Sequence, residues 1–142
     1  MVPDRYEADV VLTREDAGTV HSPGVVEVLD GRITHVGVEG SEDFAGIVHR
    51  MGGLLMPGLV NAHAHTPMTL VRGAGDGLPL QRWLTEAMWP REGRMTSEDV
   101  WWGMALGSAE MLAAGVTTSC EMYLFEDAVA DAVSTTGGRL VM

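Results

Sequence analysis

The sequence has very little cysteine and few basic residues, and both shortages exclude classes of function. Cys120 is the only cysteine among 142 residues, so an intramolecular disulfide is impossible and a zinc cluster of thiolates would lack ligands. Nine Lys and Arg residues against twenty Asp and Glu residues leave a formal net charge of −11. That charge would repel the phosphates of a nucleic acid or an anionic membrane surface. We therefore expect neither nucleic acid nor membrane as a partner.

Long hydrophobic runs are also missing. Nowhere do about 18 apolar residues follow one another, which is the length that a membrane-spanning helix needs. The first residues, "MVPDRYEADVVL", contain acidic side chains and lack the uninterrupted apolar segment of a secretory leader. Together with the single cysteine, these absences lead us to expect a cytoplasmic protein.

The first part of the chain, residues 1–55, has the pattern of β-structure alone. Valine and isoleucine recur in residues 8–13, 24–38 and 47–51. Within 24–38, Asp30 and Gly31 separate two alternating runs, and this is the strongest short signal for a β-hairpin. We predict a small antiparallel β unit here.

From Gly52 onward, helical patterns alternate with strand patterns, so we take residues 56–142 as a second region. The elements that we predict are a continuous apolar strand buried on both faces within 52–65, a helix at 78–89 ended by Pro90, a helix from "TSED" (96–99) to Gly115, a strand at 116–124, a helix at 126–133 and a strand at 137–142. The order β, α, α, β, α, β predicts an α/β fold with parallel βα units.

Two histidines stand one residue apart near the end of the first strand of this second region. Residues i and i+2 share a face of a strand, so His63 and His65 can aim at one point while Ala64 turns away. The carboxyl ends of strands in βα folds are also where sites form. The pair is therefore a candidate metal site, although histidines that bond to a loop would show the same short pattern.

Four segments resemble one known family. They are "MPGLVNAHAHTPMTLVRG" (56–73), "LPLQRWL" (78–84), "MWPREGRMT" (88–96) and "GVTTSCEMY" (115–123). Together they resemble the opening of the amidohydrolase superfamily, closest to its 5′-methylthioadenosine/S-adenosylhomocysteine deaminases and their chlorohydrolase-like (triazine hydrolase) relatives. The resemblance implies the N-terminal part of a TIM (β/α)8 barrel, preceded by strands of a small β-sandwich.

The resemblance also implies a metal. In similar enzymes the first-strand histidines bind one divalent ion, so His63 and His65 would take that role here, with zinc as the first choice and iron as the alternative. The ion lowers the pKa of a water, which then attacks C6 of an adenine-type ring and displaces ammonia. A later H-x-x-E segment and an aspartate on the last barrel strand complete such sites, and none of these can be assigned in this sequence.

The length of the sequence sets a further expectation. A TIM barrel has eight βα units and typically about 250 residues, whereas the residues after about 55 provide two units and the start of a third strand. We expect a longer chain or a complementary fragment to supply the other barrel strands, and a homo-oligomer for the complete protein. The 142 residues alone are expected to be inactive.

Three more residues are candidates for binding the substrate. By resemblance, Glu92 would accept hydrogen bonds from the two hydroxyls of a ribose, a suitable task for a carboxylate. The alternative is an ion pair with Arg91 or Arg94. Trp83 and Trp89 resemble aromatic residues near the substrate mouth of the family, with plain packing as the alternative.

These patterns favour one function and leave rivals. The first hypothesis is a metal-dependent hydrolase that deaminates an adenosine-type nucleoside, namely methylthioadenosine, S-adenosylhomocysteine or adenosine. The second is another C–N hydrolase of the same superfamily, such as a triazine or guanine hydrolase, for which a carboxylate at Glu92 would have little use. The third is a non-catalytic, truncated chain that keeps the histidine pair.

Overall fold

A computed structural model describes residues 2–14 and 18–142, and the chain separates into two compact units, Met1–Pro57 and Gly58–Met142. Both strands and helices are present, as the sequence predicts for a mixed α/β chain. Within the described ranges, no helix combines the length and the apolar character that crossing a membrane requires.

In residues 2–14 and 18–57, which the structure describes, the first unit has seven strands in two sheets. The strands are β1 (Asp4–Ala8), β2 (Val10–Leu12), β3 (Val20–His21), β4 (Gly24–Leu29), β5 (Arg32–Gly37), β6 (Ile47–Arg50) and β7 (Leu54–Leu55). One sheet has the order β5-β4-β1-β6 and the other the order β3-β2-β7. The hairpin prediction is confirmed, because β4 and β5 pair antiparallel around Asp30 and Gly31, whose φ angles of 52° and 71° suit a tight hairpin turn.

The valine-rich residues 8–13 do not lie in one continuous strand. The chain leaves the first sheet after Ala8 and joins the second sheet at Val10, since β1 pairs with β4 and β6 while β2 pairs with β3 and β7. Asp9 lies at this crossing, and its carboxylate accepts a hydrogen bond of 2.7 Å from the backbone N–H of Gly53. Strands of both sheets line an apolar cavity of about 620 Å³ within this unit.

The second unit contains three strands and the helices between them. Its elements are β8 (Leu59–Ala64), a 3-10 helix (Thr66–Val71), α1 (Leu80–Arg82), a π-helical segment (Trp83–Met88), α2 (Trp89–Glu92), α3 (Ser97–Ala113), β9 (Val116–Glu121), α4 (Glu126–Thr136) and β10 (Arg139–Val141). The sheet has the order β10-β9-β8, and both pairings are parallel. The predicted parallel βα units are confirmed.

The continuous strand predicted within residues 52–65 is interrupted. Residues 56–58 contain Pro57, which has no backbone N–H for a ladder, and they separate β7 from β8. The expected burial on both faces is also wrong in the described chain, where Leu59 is 50% and Val60 is 54% exposed. The physical reason is that β8 lies at the edge of its sheet and has β9 as its one neighbour.

The helix predicted at residues 78–89 does not end at Pro90. Helical structure runs from Leu80 to Glu92 because the turn before the proline widens into the π-helical segment, in which the N–H of Trp89 bonds to the carbonyl of Leu84. Pro90 then lies in the first turn of α2, where a missing N–H is tolerated. The widened turn therefore carries the helix past the proline as far as Glu92.

Helix α3 begins as the sequence predicts. The hydroxyl of Thr96 accepts a hydrogen bond from the N–H of Asp99, and the Asp99 carboxylate accepts one from the N–H of Thr96, which makes a complete capping box. The helix ends before Gly115, whose φ of 81° is suited to a helix C-terminus. Against α4 it builds a core of Val100, Met104, Val129, Ala132 and Val133.

Two glycines of α3 allow close packing on the 3-10 helix that follows His65. A Cβ at Gly103 would lie 2.5 Å from the carbonyl oxygen of Pro67, and one at Gly107 would lie 2.3 Å from the Thr66 methyl group. Such distances are below van der Waals contact, so any larger side chain must push the two elements apart. Glycine at these positions therefore holds the segment after His65 against α3.

Replacing Gly103 with alanine is expected to lower the free energy of unfolding by about 1–2 kcal/mol. Overpacking typically costs about 1–3 kcal/mol, and the better helix propensity of alanine offsets up to about 1 kcal/mol of it. Urea denaturation of the purified protein followed by tryptophan fluorescence measures the change. Gly138→Ala is the control, because a Cβ there would make an ordinary contact of 3.5 Å with Val133. Equal stability of both variants would contradict the packing argument.

Candidate functional site

The two candidate histidines lie together at the carboxyl end of β8. Their Nε2 atoms are 3.2 Å apart, and the rings are nearly perpendicular, at 84°. Two nitrogens bound to one tetrahedral zinc ion, each at about 2.0–2.1 Å, would be separated by roughly 3.3 Å. The distance between His63 and His65 therefore fits two ligands of one divalent ion.

A backbone carbonyl orients one of these rings. The Nδ1 of His65 lies 2.6 Å from the carbonyl oxygen of Met122, which follows β9. Because a carbonyl can only accept, Nδ1 must donate, and in the neutral ring Nε2 then keeps its lone pair. Metal-binding histidines are commonly oriented by such a bond from the second nitrogen. The tautomer of His65 is the one that a metal ligand needs.

The pair is incomplete as a metal site. Among residues 2–14 and 18–142 of the structure, no three His, Cys, Asp or Glu side chains cluster as metal ligands. His63 and His65 thus fit a divalent cation in their spacing and donor type, and they account for two positions in its coordination shell.

A cavity of about 720 Å³ opens beside His65 in the second unit. All three candidate substrate-binding residues, Trp83, Trp89 and Glu92, line it together with His65. The rest of the lining is mainly apolar: Met68, Leu80, Leu84, Met88, Met122 and Leu124. An apolar pocket with few polar groups is the usual form of a small-molecule site.

The two tryptophan side chains in the cavity differ in how firmly the surrounding structure holds them. The indole N–H of Trp83 donates a hydrogen bond of 3.0 Å to the carbonyl of Ala74, so its ring is held by the loop after the 3-10 helix. Trp89 is 54% exposed. An indole with its polar group satisfied presents a rigid apolar face, so Trp83 forms a fixed wall and Trp89 an open rim.

Glu92 has a partner that sequence analysis missed. Its Oε1 accepts a hydrogen bond of 3.0 Å from the hydroxyl of Tyr123, which also lines the cavity. No ion pair joins Glu92 to Arg91 or Arg94 in the part of the chain that the structure describes, and Arg91 donates instead to the carbonyl of Ala87. The ion pair considered as the alternative for Glu92 is absent there.

The environment keeps Tyr123 protonated. Burial raises the pKa of its phenol above the ordinary value, and the hydrogen bond to Glu92 and the negative charge of Glu92 raise it further. The Tyr123 hydroxyl therefore keeps its proton and donates a hydrogen bond to the Glu92 carboxylate. Tyr123 lies just beyond the carboxyl end of the second parallel strand, which is where βα folds form their sites. That position in the sequence could have identified Tyr123 as a candidate site residue.

Glu121 is a second residue that sequence analysis missed. Its side chain is buried at the end of β9, where its Oε2 accepts a bond of 3.0 Å from the N–H of Thr66 and its Oε1 accepts a short bond from the Thr66 hydroxyl. The N–H of Met122 also donates to the carbonyl of Ala64, at 3.3 Å. These contacts fasten the residues on both sides of His65 to the next strand.

A family comparison covers the part of the chain that forms this site. The profile of the Amidohydrolase family matches residues 54–142, which include both histidines and the whole cavity. The chain belongs to the amidohydrolase family. Sequence analysis named this family from its motifs, and that identification is confirmed.

Curated relatives of this amidohydrolase chain are longer than it. The 5-methylthioadenosine/S-adenosylhomocysteine deaminase of Symbiobacterium thermophilum is 45% identical over 136 residues, which cover 94% of this chain and 31% of that protein. The 5′-deoxyadenosine deaminase of Methanosarcina mazei is 43% identical over 130 residues, or 91% of this chain and 30% of that protein. The chain thus spans about a third of the length of these relatives.

Solved structures show the same amidohydrolase fold. An adenosine deaminase from Xanthomonas campestris with bound zinc superposes with a TM-score of 0.86 at 37% identity, over 97% of this chain and 33% of that one. The atrazine chlorohydrolase of Arthrobacter aurescens TC1, complexed with zinc, has a TM-score of 0.84 at 21% identity, over 96% of this chain and 34% of that one. The second likeness concerns the fold alone.

Proposed function

We propose that these residues form the N-terminal third of a metal-dependent hydrolase that deaminates an adenosine-type nucleoside. In the complete protein, residues 56–142 would open a TIM barrel and residues 1–55 would contribute strands to a β-sandwich, with the missing strands from a longer chain or a complementary fragment. One observation carries the proposal: His65, whose Nε2 lies 3.2 Å from that of His63, lines the same cavity as Glu92. The deaminase names of relatives at 43–45% identity support it.

His63 and His65 would hold the metal ion. A divalent cation bound there supplies a Lewis acid that lowers the pKa of water toward neutrality. Zinc is the first choice, supported by imidazole ligands and by the zinc in the related adenosine deaminase structure. The residues of this chain orient the site: Met122 fixes the tautomer of His65, Glu121 holds Thr66 after it, and the N–H of Met122 holds Ala64 before it.

The cavity walls would bind the nucleoside. The carboxylate of Glu92 would accept hydrogen bonds from the ribose hydroxyls, while the indole of Trp83 and the open ring of Trp89 would contact the apolar tail at the 5′ position. The apolar lining excludes water around the base and strengthens each polar contact that remains. A substrate with a sugar, an aromatic base and an apolar group at the 5′ position would fit the residues that line this cavity.

An assay of the full-length gene product tests the proposal. Purified protein with one equivalent of zinc is incubated with 5′-methylthioadenosine, S-adenosylhomocysteine and adenosine, and with guanine and a chlorinated triazine as alternatives. Release of ammonia from at least one adenosine-type nucleoside, with the matching inosine-type product, is expected. Turnover of guanine or the triazine without nucleoside turnover would overturn the proposed substrate class. If none of these compounds were turned over, the proposal that the protein is a hydrolase of this kind would be overturned.

Replacing Glu121 with glutamine is expected to weaken zinc binding by about 10- to 100-fold, the usual effect of removing a group that orients metal ligands. The amide nitrogen of glutamine cannot accept from Thr66, so one of the two bonds that fix the segment after His65 is lost. Zinc affinity is measured by competition with a chromogenic chelator. Glu98→Gln, at an exposed glutamate near the start of α3, is the matched control. Unchanged affinity in Glu121→Gln would refute the orienting role.

A further inference from the structure

Glu92 and Tyr123 reach one cavity from two different elements. Glu92 ends α2, while Tyr123 follows β9 and packs with its ring against the core of α3 and α4. The phenol donates to Oε1 of Glu92 at 3.0 Å and also lies 3.5 Å from the sulfur of Met95. A phenol has one proton to give, and a carboxylate is a far stronger acceptor than a thioether. The proton therefore belongs to the bond with Glu92.

This bond restricts a side chain that would otherwise be mobile. A glutamate side chain has several rotatable bonds, and fixing one costs conformational entropy when a ligand does it. With no cation paired to Glu92 in the described chain, the bond from Tyr123 is the side-chain contact that sets its direction. A carboxylate offers about four acceptor positions, so those left over remain available to hydroxyl donors in the cavity.

We propose that Tyr123 is a positioning residue for substrate specificity, which holds the Glu92 carboxylate ready to accept the two hydroxyls of a ribose. This inference rests on the proposed function and deepens it. Tyr123 itself does not touch the substrate in this role. It acts through Glu92, so its contribution exists only for substrates that carry the hydroxyls.

The test compares Tyr123→Phe with wild type in the full-length enzyme, using adenosine and 2′,3′-dideoxyadenosine. Removing a hydrogen bond to a charged group should lower kcat/KM for adenosine by about tenfold, mainly through a higher KM, because the lost contact is made in the ground state and the transition state alike. For 2′,3′-dideoxyadenosine the change should be less than about twofold, since there is nothing for Glu92 to accept. Tyr6→Phe, the same chemical change in β1, is the control and should leave both substrates unchanged.

A double-mutant cycle completes the test. In a Glu92→Ala background, Tyr123→Phe should have no further effect on adenosine, since Tyr123 acts through the missing carboxylate. Equal losses for both nucleosides, or a full effect that persists without Glu92, would overturn the positioning role while leaving the deaminase intact. If the wild-type enzyme deaminated no adenosine-type nucleoside, including 5′-methylthioadenosine and S-adenosylhomocysteine, the proposed function would instead be overturned, and this inference with it.

Discussion

Replacing His65 with alanine is expected to abolish stoichiometric zinc binding and to lower kcat by on the order of 1,000-fold or more. Under the proposed function, the bound cation would lower the pKa of water toward neutrality, so without it the attacking hydroxide would be scarce at neutral pH. The variant also loses the bond from Nδ1 to the carbonyl of Met122, which orients the ligand end of β8. His63→Ala should have the same effect on zinc, because the two Nε2 atoms are placed for one ion.

Zinc content by mass spectrometry and ammonia release are measured on the same full-length preparations. His21→Ala, in β3 of the first unit, is the control and should keep both zinc and activity. Circular dichroism confirms that each variant is folded. If His65→Ala kept one tight equivalent of zinc, the metal would lie elsewhere and the assignment of the histidine pair would be wrong.

Glu92→Gln is expected to lower kcat/KM for adenosine-type nucleosides by about 10- to 100-fold, the range for losing hydrogen bonds to a charged group. Glutamine keeps the size of the side chain but replaces one acceptor oxygen with an NH2 donor that faces the hydroxyl donors of the ribose. The cavity and its apolar lining stay in place. The loss should therefore depend on the sugar and not on the base.

Steady-state kinetics with adenosine and 2′,3′-dideoxyadenosine separate these contributions. The matched control is Glu86→Gln in the same helical stretch, where the glutamate forms an exposed ion pair with Arg82 and does not line the cavity. Its kinetics should equal those of wild type. If Glu92→Gln left nucleoside turnover intact, Glu92 would not hold the ribose, and a substrate without a sugar, such as a triazine or guanine, would become the better hypothesis.

Local signals in the sequence were enough to predict much of the fold. The Asp30-Gly31 hairpin, the capping box at Thr96 and the parallel strands depend on nearest neighbours or on simple periodicity, and each is present. The failures depend on partners distant in sequence. The chain passes from one sheet to the other at Asp9, between β1 and β2, and no local pattern in the sequence indicates which strands pair with each of them.

In the candidate site, too, local patterns could be predicted from the sequence and long-range pairings could not. The spacing of His63 and His65 follows from the alternation of a strand, so their convergence could be predicted from two residues. Glu92 came from a motif, and the structure places it at the same cavity. Tyr123 and Glu121 were missed because their roles are pairings across 31 and 55 residues of sequence, which single-sequence patterns do not contain.

The π-helical segment at Trp83–Met88 determines the directions in which the side chains of the following helix, α2, point around the helix axis. An α-helix turns by roughly 100° for each residue, so a turn that holds one residue more than an α-helical turn rotates the following side chains by about that angle. Trp83 and Glu92, nine residues apart, would lie roughly 180° apart on a regular helix, whereas the widened turn brings them to within about 80° of each other, and both line one cavity. The same residues wound as a regular α-helix would look like a better helix, and they would carry the Glu92 carboxylate to the face roughly opposite Trp83.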